Sequence, residues 1–154
     1  MEKKKSFLFS LDSFKVLNFS FHTSDSNIRK DRIDFRIQHR FGPELEKNLF
    51  HVGFKIKVVA GRKSNKELAS IETLTSYILK KVEPIELKSF PEEALITFIS
   101  IAYSNTRGAL AAKAQGTIAG EVPLPLINPQ EVIQRMKGAN DKKATTTPQT
   151  KKGK

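Results

Sequence analysis

Four stretches of the chain alternate between apolar and polar side chains, the pattern of a half-buried β-strand. The first carries Phe7, Phe9 and Leu11, then Leu17, Phe19 and Phe21, with Asp12 to Lys15 breaking the phase where a bulge or bend is expected. In the second, Ile33, Phe35, Ile37, His39 and Phe41 alternate with Arg32, Asp34, Arg36, Gln38 and Arg40, giving one apolar and one charged face. The third is the longest clean alternation: Phe50, Val52, Phe54, Ile56, Val58 and Ala60 oppose His51, Lys55 and Lys57. In the fourth, Leu68 to Lys81, one side carries Ala69, Ile71, Thr73, Thr75, Tyr77 and Leu79, and the other Leu74, Ile78 and Val82, so both faces are expected to be partly covered. Polar segments at Thr23 to Lys30, after Gly42-Pro43 and at Gly61 to Lys66 separate the strands.

From Ser89 the period changes to that of a helix. Ser89 and Glu92 form a capping box, and Pro91 is tolerated in a first turn because its missing N–H would have no partner there. Leu95, Phe98, Ile99, Ala102, Thr106, Ala109 and Leu110 then recur three and four apart, which predicts a helix to about Ala114 with that stripe buried. A second stripe, Ala94, Thr97, Ile101, Ser104, Gly108 and Ala112, is built mostly of small residues, which let two helix backbones come close. It suits another helix, including one from another subunit. Gly108 costs roughly 1 kcal/mol relative to Ala in a helix interior, a cost that close packing would offset.

After Gln115-Gly116 the helical period stops, and Pro123, Pro125 and Pro129 restrict φ, so Val122 to Ile127 is expected to run extended as an apolar strap. Asn128 caps a second helix, with Pro129 at its first position, Glu131 completing an Asn-x-x-Glu box, and Val132, Ile133 and Met136 as its apolar face.

Strands first and helices afterwards define an α+β fold: a four-stranded antiparallel sheet followed by a long helix, a Pro-rich loop and a short second helix. The length of 154 residues suits one domain, 1–137. The segment 138–154 is rich in Lys and Thr and nearly devoid of apolar side chains, so a disordered basic tail is expected there.

Composition narrows the chemistry. The absence of cysteine removes disulfides, thiolate metal sites and a Cys nucleophile, and fits a reducing cytoplasm. No apolar run approaches the roughly 18 residues needed to cross a bilayer. Asp12 and Lys15 interrupt the basic and apolar start too early for a signal peptide, so a cytoplasmic location is expected. His22, His39 and His51 have no short ligand spacing, and no metal is assigned to them. Gly116 and Gly120 lack the surroundings of a phosphate-binding loop, so no nucleotide or other cofactor is assigned. The carboxylates Glu44 and Glu46, and Glu92 and Glu93, fit a solvated loop and a helix first turn. With no catalytic constellation, the chain does not read as an enzyme.

The net charge of +11 attracts polyanions, and it supports a second reading, a small basic nucleic-acid-associated module. Against that, Arg32, Arg36 and Arg40 are mixed with Asp34 and Gln38 and lack interleaved aromatics for base stacking, which fits a solvated sheet face. Eleven phenylalanines, concentrated on strand faces, and the Pro-rich strap form a surface suited instead to extended apolar peptide.

The run Ile99-Ser-Ile-Ala-Tyr-Ser-Asn-Thr-Arg-Gly-Ala-Leu followed by Val122-Pro-Leu-Pro-Leu-Ile-Asn-Pro resembles the SecB family of protein-export chaperones, and the likeness extends over roughly Phe7 to Met136. The resemblance implies a tetramer, a dimer of dimers with the long helices at its interface, holding non-native polypeptide clients in apolar grooves without nucleotide or metal. It places Arg107 and Gly108 in the helix motif that supports assembly, alongside Ile101, Ser104 and Ala112 of the small-residue stripe. It places Pro123, Pro125 and Asn128 in the loop bordering the client groove, and Leu124, Leu126 and Ile127 are added as expected client contacts. Family members that deliver preproteins to the SecA motor dock through acidic surface, so the charge of +11 argues against that partner. SecB-like chaperones also protect antitoxins, and the sequence does not choose between export and such a dedicated client.

Overall fold

The computed structural model describes residues 8–22, 28–63, 66–80 and 90–144, apart from the side chains of Leu45, Met136 and 139–144. Four strands, β1 (Leu8–Phe21), β2 (Asp34–Glu44), β3 (Leu49–Val59) and β4 (Glu67–Lys80), form one antiparallel sheet in the order β1-β4-β3-β2. Three helices follow them: α1 (Glu92–Lys113), α2 (Ile118–Glu121) and α3 (Pro129–Ala144). This is the α+β order that the pattern predicts. β2, β3 and β4 are neighbours in chain order, whereas β1 pairs with β4, so the first two strands become the two edges of the sheet.

The two inner strands carry the core. Phe50, Val52, Phe54, Ile56 and Val58 of β3, and Ala69, Ile71, Thr73, Thr75, Tyr77 and Leu79 of β4, are all buried, as are Leu95, Phe98, Ile99, Ala102, Thr106 and Leu110 of α1. Phe98 is the centre of this layer: its ring stacks on Tyr77 at 4.4 Å and meets Phe9 edge-on at 4.6 Å and Phe50 at 5.0 Å. The Tyr77 hydroxyl donates to the Phe98 carbonyl at 2.7 Å, which ties α1 to the sheet and satisfies a buried phenol. Thr106 donates to the Ala102 carbonyl at 2.8 Å and so accepts from Thr73 across the interface at 2.7 Å.

β1 departs from one simple alternation because its phase shifts twice, between Leu11 and Ser13 and between Val16 and Asn18. Each bulge inserts one residue and flips the faces. The row paired with the inward residues of β4 is therefore Phe9, Leu11, Phe14, Val16, Phe19 and Phe21, while Leu17 falls in the second bulge, 49% exposed. Phe7 lies outside the described residues.

The helix ends differ from the expected ones in two places. α1 starts at Glu92, with Pro91 at its N-cap and no side chain capping it; Glu92 and Glu93 face the positive end of the helix dipole instead, and Ser89 lies outside the described residues. α3 is capped as the sequence indicates, the Gln130 amide donating to Asn128 Oδ1 at 3.1 Å. It then runs on through Gly138 to Ala144, past the start of the expected basic tail. Once a helix is nucleated, each further residue adds a hydrogen bond for little additional ordering, so one glycine, costing roughly 1 kcal/mol, does not by itself end it. Residues 145–154 lie outside the described residues.

Candidate functional site

The segment after α1 is folded back tightly before it becomes the strap. Gly116 has φ of 80°, the left-handed region that favours glycine. The Thr117 hydroxyl donates to the Ala114 carbonyl at 2.7 Å and accepts from the Gly120 amide at 3.4 Å, which caps α2. A Cβ at Gly120 would collide with the Ala114 carbonyl, so only glycine lets α2 lie against the end of α1. An ion pair from Lys30 to Glu121 ties this corner to the chain entering β2.

From Val122 to Asn128 the backbone carries no helix or strand, and its two leucines, although two residues apart, point to opposite sides. Leu124 points inward, 7% exposed and part of the core, while Leu126 points outward, 84% exposed. Pro123, Pro125 and Asn128 are exposed and Ile127 is half-buried. The Tyr103 hydroxyl donates to the Pro125 carbonyl at 2.6 Å, with the Tyr103 ring braced edge-on by Phe54 at 5.4 Å. Burial raises the Tyr103 phenol, the nearby Arg107 charge pulling the other way. The strap is thus fastened at Leu124, at Pro125 and at the Asn128 cap, and it presents Leu126 between the fastenings. Of the expected client contacts, Leu126 stands free and Leu124 belongs to the core.

On α1, Ser104, Gly108 and Ala112 are exposed, Ile101 and Arg107 half-buried, and a Cβ at Gly108 would meet nothing within 4 Å. Ala94 departs from this stripe and is buried in the first turn. The two predicted residue sets, separate in sequence, meet in space: an open cleft of about 450 Å³ is lined by Ser104, Arg107, Gly108 and Ala111 on one side and by Val122, Pro123 and Leu124 on the other.

The histidines are spread over the sheet. His51 of β3 bridges Ser76 Oγ and Glu44 Oε2, each at 2.8 Å, and hydrogen bonds from His51 and then Lys47 hold the Glu44 carboxyl below its ordinary value. Ser76 is 5% exposed in mid-strand, so this row fastens β2, β3 and β4 together and offers no accessible nucleophile. His39 stacks on Phe41 at 5.2 Å, and burial, with Arg135 nearby, lowers its pKa. Among the described residues no group of three His, Cys, Asp or Glu side chains could hold a metal ion. Tyr103, Thr117 and Gly120 were not singled out by periodicity; the i, i+4 spacing from Ile99 to Tyr103 is the signal that places the tyrosine towards the sheet.

A four-stranded antiparallel sheet backed by a long helix, a fastened strap and a closing helix is a SecB-like α+β fold. The particular structure it resembles is that of the Mycobacterium tuberculosis Rv1957 SecB-like chaperone in complex with a ChAD peptide from the Rv1956 HigA1 antitoxin, with a TM-score of 0.55 and 10% identity over 78% of this chain and 90% of that one. A protein of unknown function from Streptococcus agalactiae gives a TM-score of 0.44 at 8% identity, covering 80% of this chain and 98% of that one. No protein-family model and no curated protein matches the sequence.

Proposed function

We propose that the protein is an ATP-independent holdase chaperone that binds non-native polypeptides through apolar surface bordered by the strap. The observation that carries this is Leu126, a leucine 84% exposed on a segment stiffened by Pro123 and Pro125 and pinned by Tyr103. An apolar side chain held rigidly in water offers burial of roughly 1.5–3 kcal/mol to a partner with little ordering entropy to lose. The peptide bound to the SecB-like structural neighbour supports the same use of the fold.

Modest affinity at each strap becomes useful holding when several straps act on one client. The exposed small-residue face of α1 suits the helix contacts of a tetramer built as a dimer of dimers. Clients are preproteins or a dedicated protein such as an antitoxin, held in the cytoplasm, and the positive charge disfavours docking on SecA. No cofactor and no catalytic step are called for.

The test is light scattering from a chemically unfolded model protein, with this chain added and ATP omitted, at low and high salt. Suppression of aggregation that persists at high salt, and weakens with Leu126→Asp while the circular dichroism is unchanged, is the expected outcome. Suppression that disappears with salt would assign the binding to the lysines and favour the basic nucleic-acid module.

A further inference from the structure

Two charged residues line the cleft between α1 and the strap, Arg107 and Glu121. Glu121 is engaged, since it forms the ion pair with Lys30 that ties the corner to the chain entering β2. Arg107 is half-buried and makes no ion pair or hydrogen bond with any of the described residues. A guanidinium carries five N–H donors and a charge that is costly to draw out of water without an acceptor. This chain places one in a cleft and supplies no carboxylate to meet it.

The surroundings keep the cation accessible and fix its place. Ser104 lies one turn before Arg107, Gly108 beside it and Ala111 one turn after, so the α1 wall around it is built of small residues. Across the cleft stand the apolar Val122, Pro123 and Leu124. The Arg107 charge acts on the phenol of Tyr103, one turn back, and that phenol holds the Pro125 carbonyl, so the guanidinium sits on the strap side of α1. The rest of the small-residue stripe turns elsewhere. Ala112, five residues on, stands about 140° round the helix from Arg107 and does not line the cleft. A second helix packed on the Ala112 side therefore leaves the strap side of Arg107 open.

We propose that Arg107 selects among clients: the cleft receives an Asp or Glu side chain of an extended apolar segment, with its carboxylate on the guanidinium and its apolar neighbours on the strap. This deepens the holdase reading and rests on it. The carboxylate of a side chain fits that reading better than the end of a chain, because several straps acting on one client need a group that recurs along it, and a polypeptide has one C-terminus. A phosphate chain fits less well, because the wall facing Arg107 is apolar and Glu121 borders the same cleft. The net charge of +11 draws acidic segments towards the protein, and the planar fork of the guanidinium then reads the carboxylate at short range.

Fluorescence anisotropy of the full chain with two labelled, C-terminally amidated peptides tests this at low salt. Both consist of Leu, Val and Ser, one with a single central Glu and the other with Gln in its place. The Glu peptide is expected to bind about tenfold more tightly, as a charge-assisted bond to a half-buried partner allows. Arg107→Gln should erase that preference and leave affinity for the Gln peptide within about twofold, whereas Arg107→Lys should keep part of it, having the charge without the fork. Lys55→Gln, an equal loss of charge from the sheet, should leave the preference intact. Equal binding of the two peptides by the unmodified chain, or a preference that survives Arg107→Gln, would overturn the proposal while the holdase reading stands. Binding of neither peptide would overturn both. A Gln peptide with a free C-terminus that matches the Glu peptide would give Arg107 to chain ends. A fall in mass in solution with Arg107→Gln would give it to a subunit contact, and either result would overturn the assignment to client side chains.

Discussion

The two faces of α1 are made of different residues and meet different surroundings. The inner face is large and irregular: Leu95, Phe98, Ile99, Tyr103 and Leu110 fill the space above β3 and β4. The outer face, at Ser104, Gly108, Ala111 and Ala112, is small and exposed, with Arg107 half-buried beside it. Every inner side chain has a partner that explains its size. Gly108 on the outer face is different: a Cβ there would meet open space, so the chain's own packing does not need glycine at this position and gives up about 1 kcal/mol of helix propensity by having it. Residues that a fold does not require point to a contact the single chain does not contain, which is why this face is proposed as the subunit interface.

The sharpest way to break the comparison is to cut into the inner face. Phe98 touches Phe9, Phe50 and Tyr77 and is fully buried. Phe98→Ala should cost about 3–5 kcal/mol, the range for emptying a buried aromatic site, measured as a lower denaturation midpoint. A loss below about 1 kcal/mol would mean that α1 is not held to the sheet through this ring.

Gly108→Ala has a smaller effect whose sign separates two models of the outer face. If the face meets only water, alanine should stabilise the chain by about 1 kcal/mol through propensity and leave its mass in solution unchanged. If the face meets a second helix at close range, the methyl group intrudes and association weakens. Sedimentation at several concentrations, set beside thermal denaturation, reads both quantities. We expect a loss of assembly; a more stable protein of unchanged mass would remove α1 from the interface.

The same contrast explains which features were legible in the sequence. Alternation and the three-four spacing depend on a side chain's own burial, so the inward rows of β3 and β4 and the buried stripe of α1 followed from the residues. Two bulges in β1 exceed the one break that Asp12 to Lys15 suggested, because the second, at Leu17, replaces one apolar residue with another and leaves no polar mark. Sheet order was not legible, since alternation says which face is buried and not which strand lies alongside. The strap was found through its prolines, but Leu124 and Leu126 looked equivalent; only the Tyr103 bond and the tight corner at Gly120 decide that one turns inward and the other out. α3 overran its expected end because a solvated helix needs no apolar stripe to continue, and an apolar stripe is what the pattern detects.

Tyr103 stands where the two faces of α1 meet, and it gives the smallest and most specific test. Its ring belongs to the core and its hydroxyl to the strap, so Tyr103→Phe should keep the packing against Phe54 and delete the bond to Pro125. Pro125 is exposed, so its carbonyl can turn to water, and the cost should be about 0.5–1 kcal/mol in global stability. The local effect should be clearer: hydrogen exchange at Leu124, Leu126 and Ile127 should quicken while that of β3 and β4 stays unchanged. If client capture relies on a strap already held in place, the same change should weaken it by up to about fivefold, the equivalent of 1 kcal/mol. Faster exchange with undiminished capture would mean that Leu126 works equally well from a loose segment, and that the prolines alone set its position.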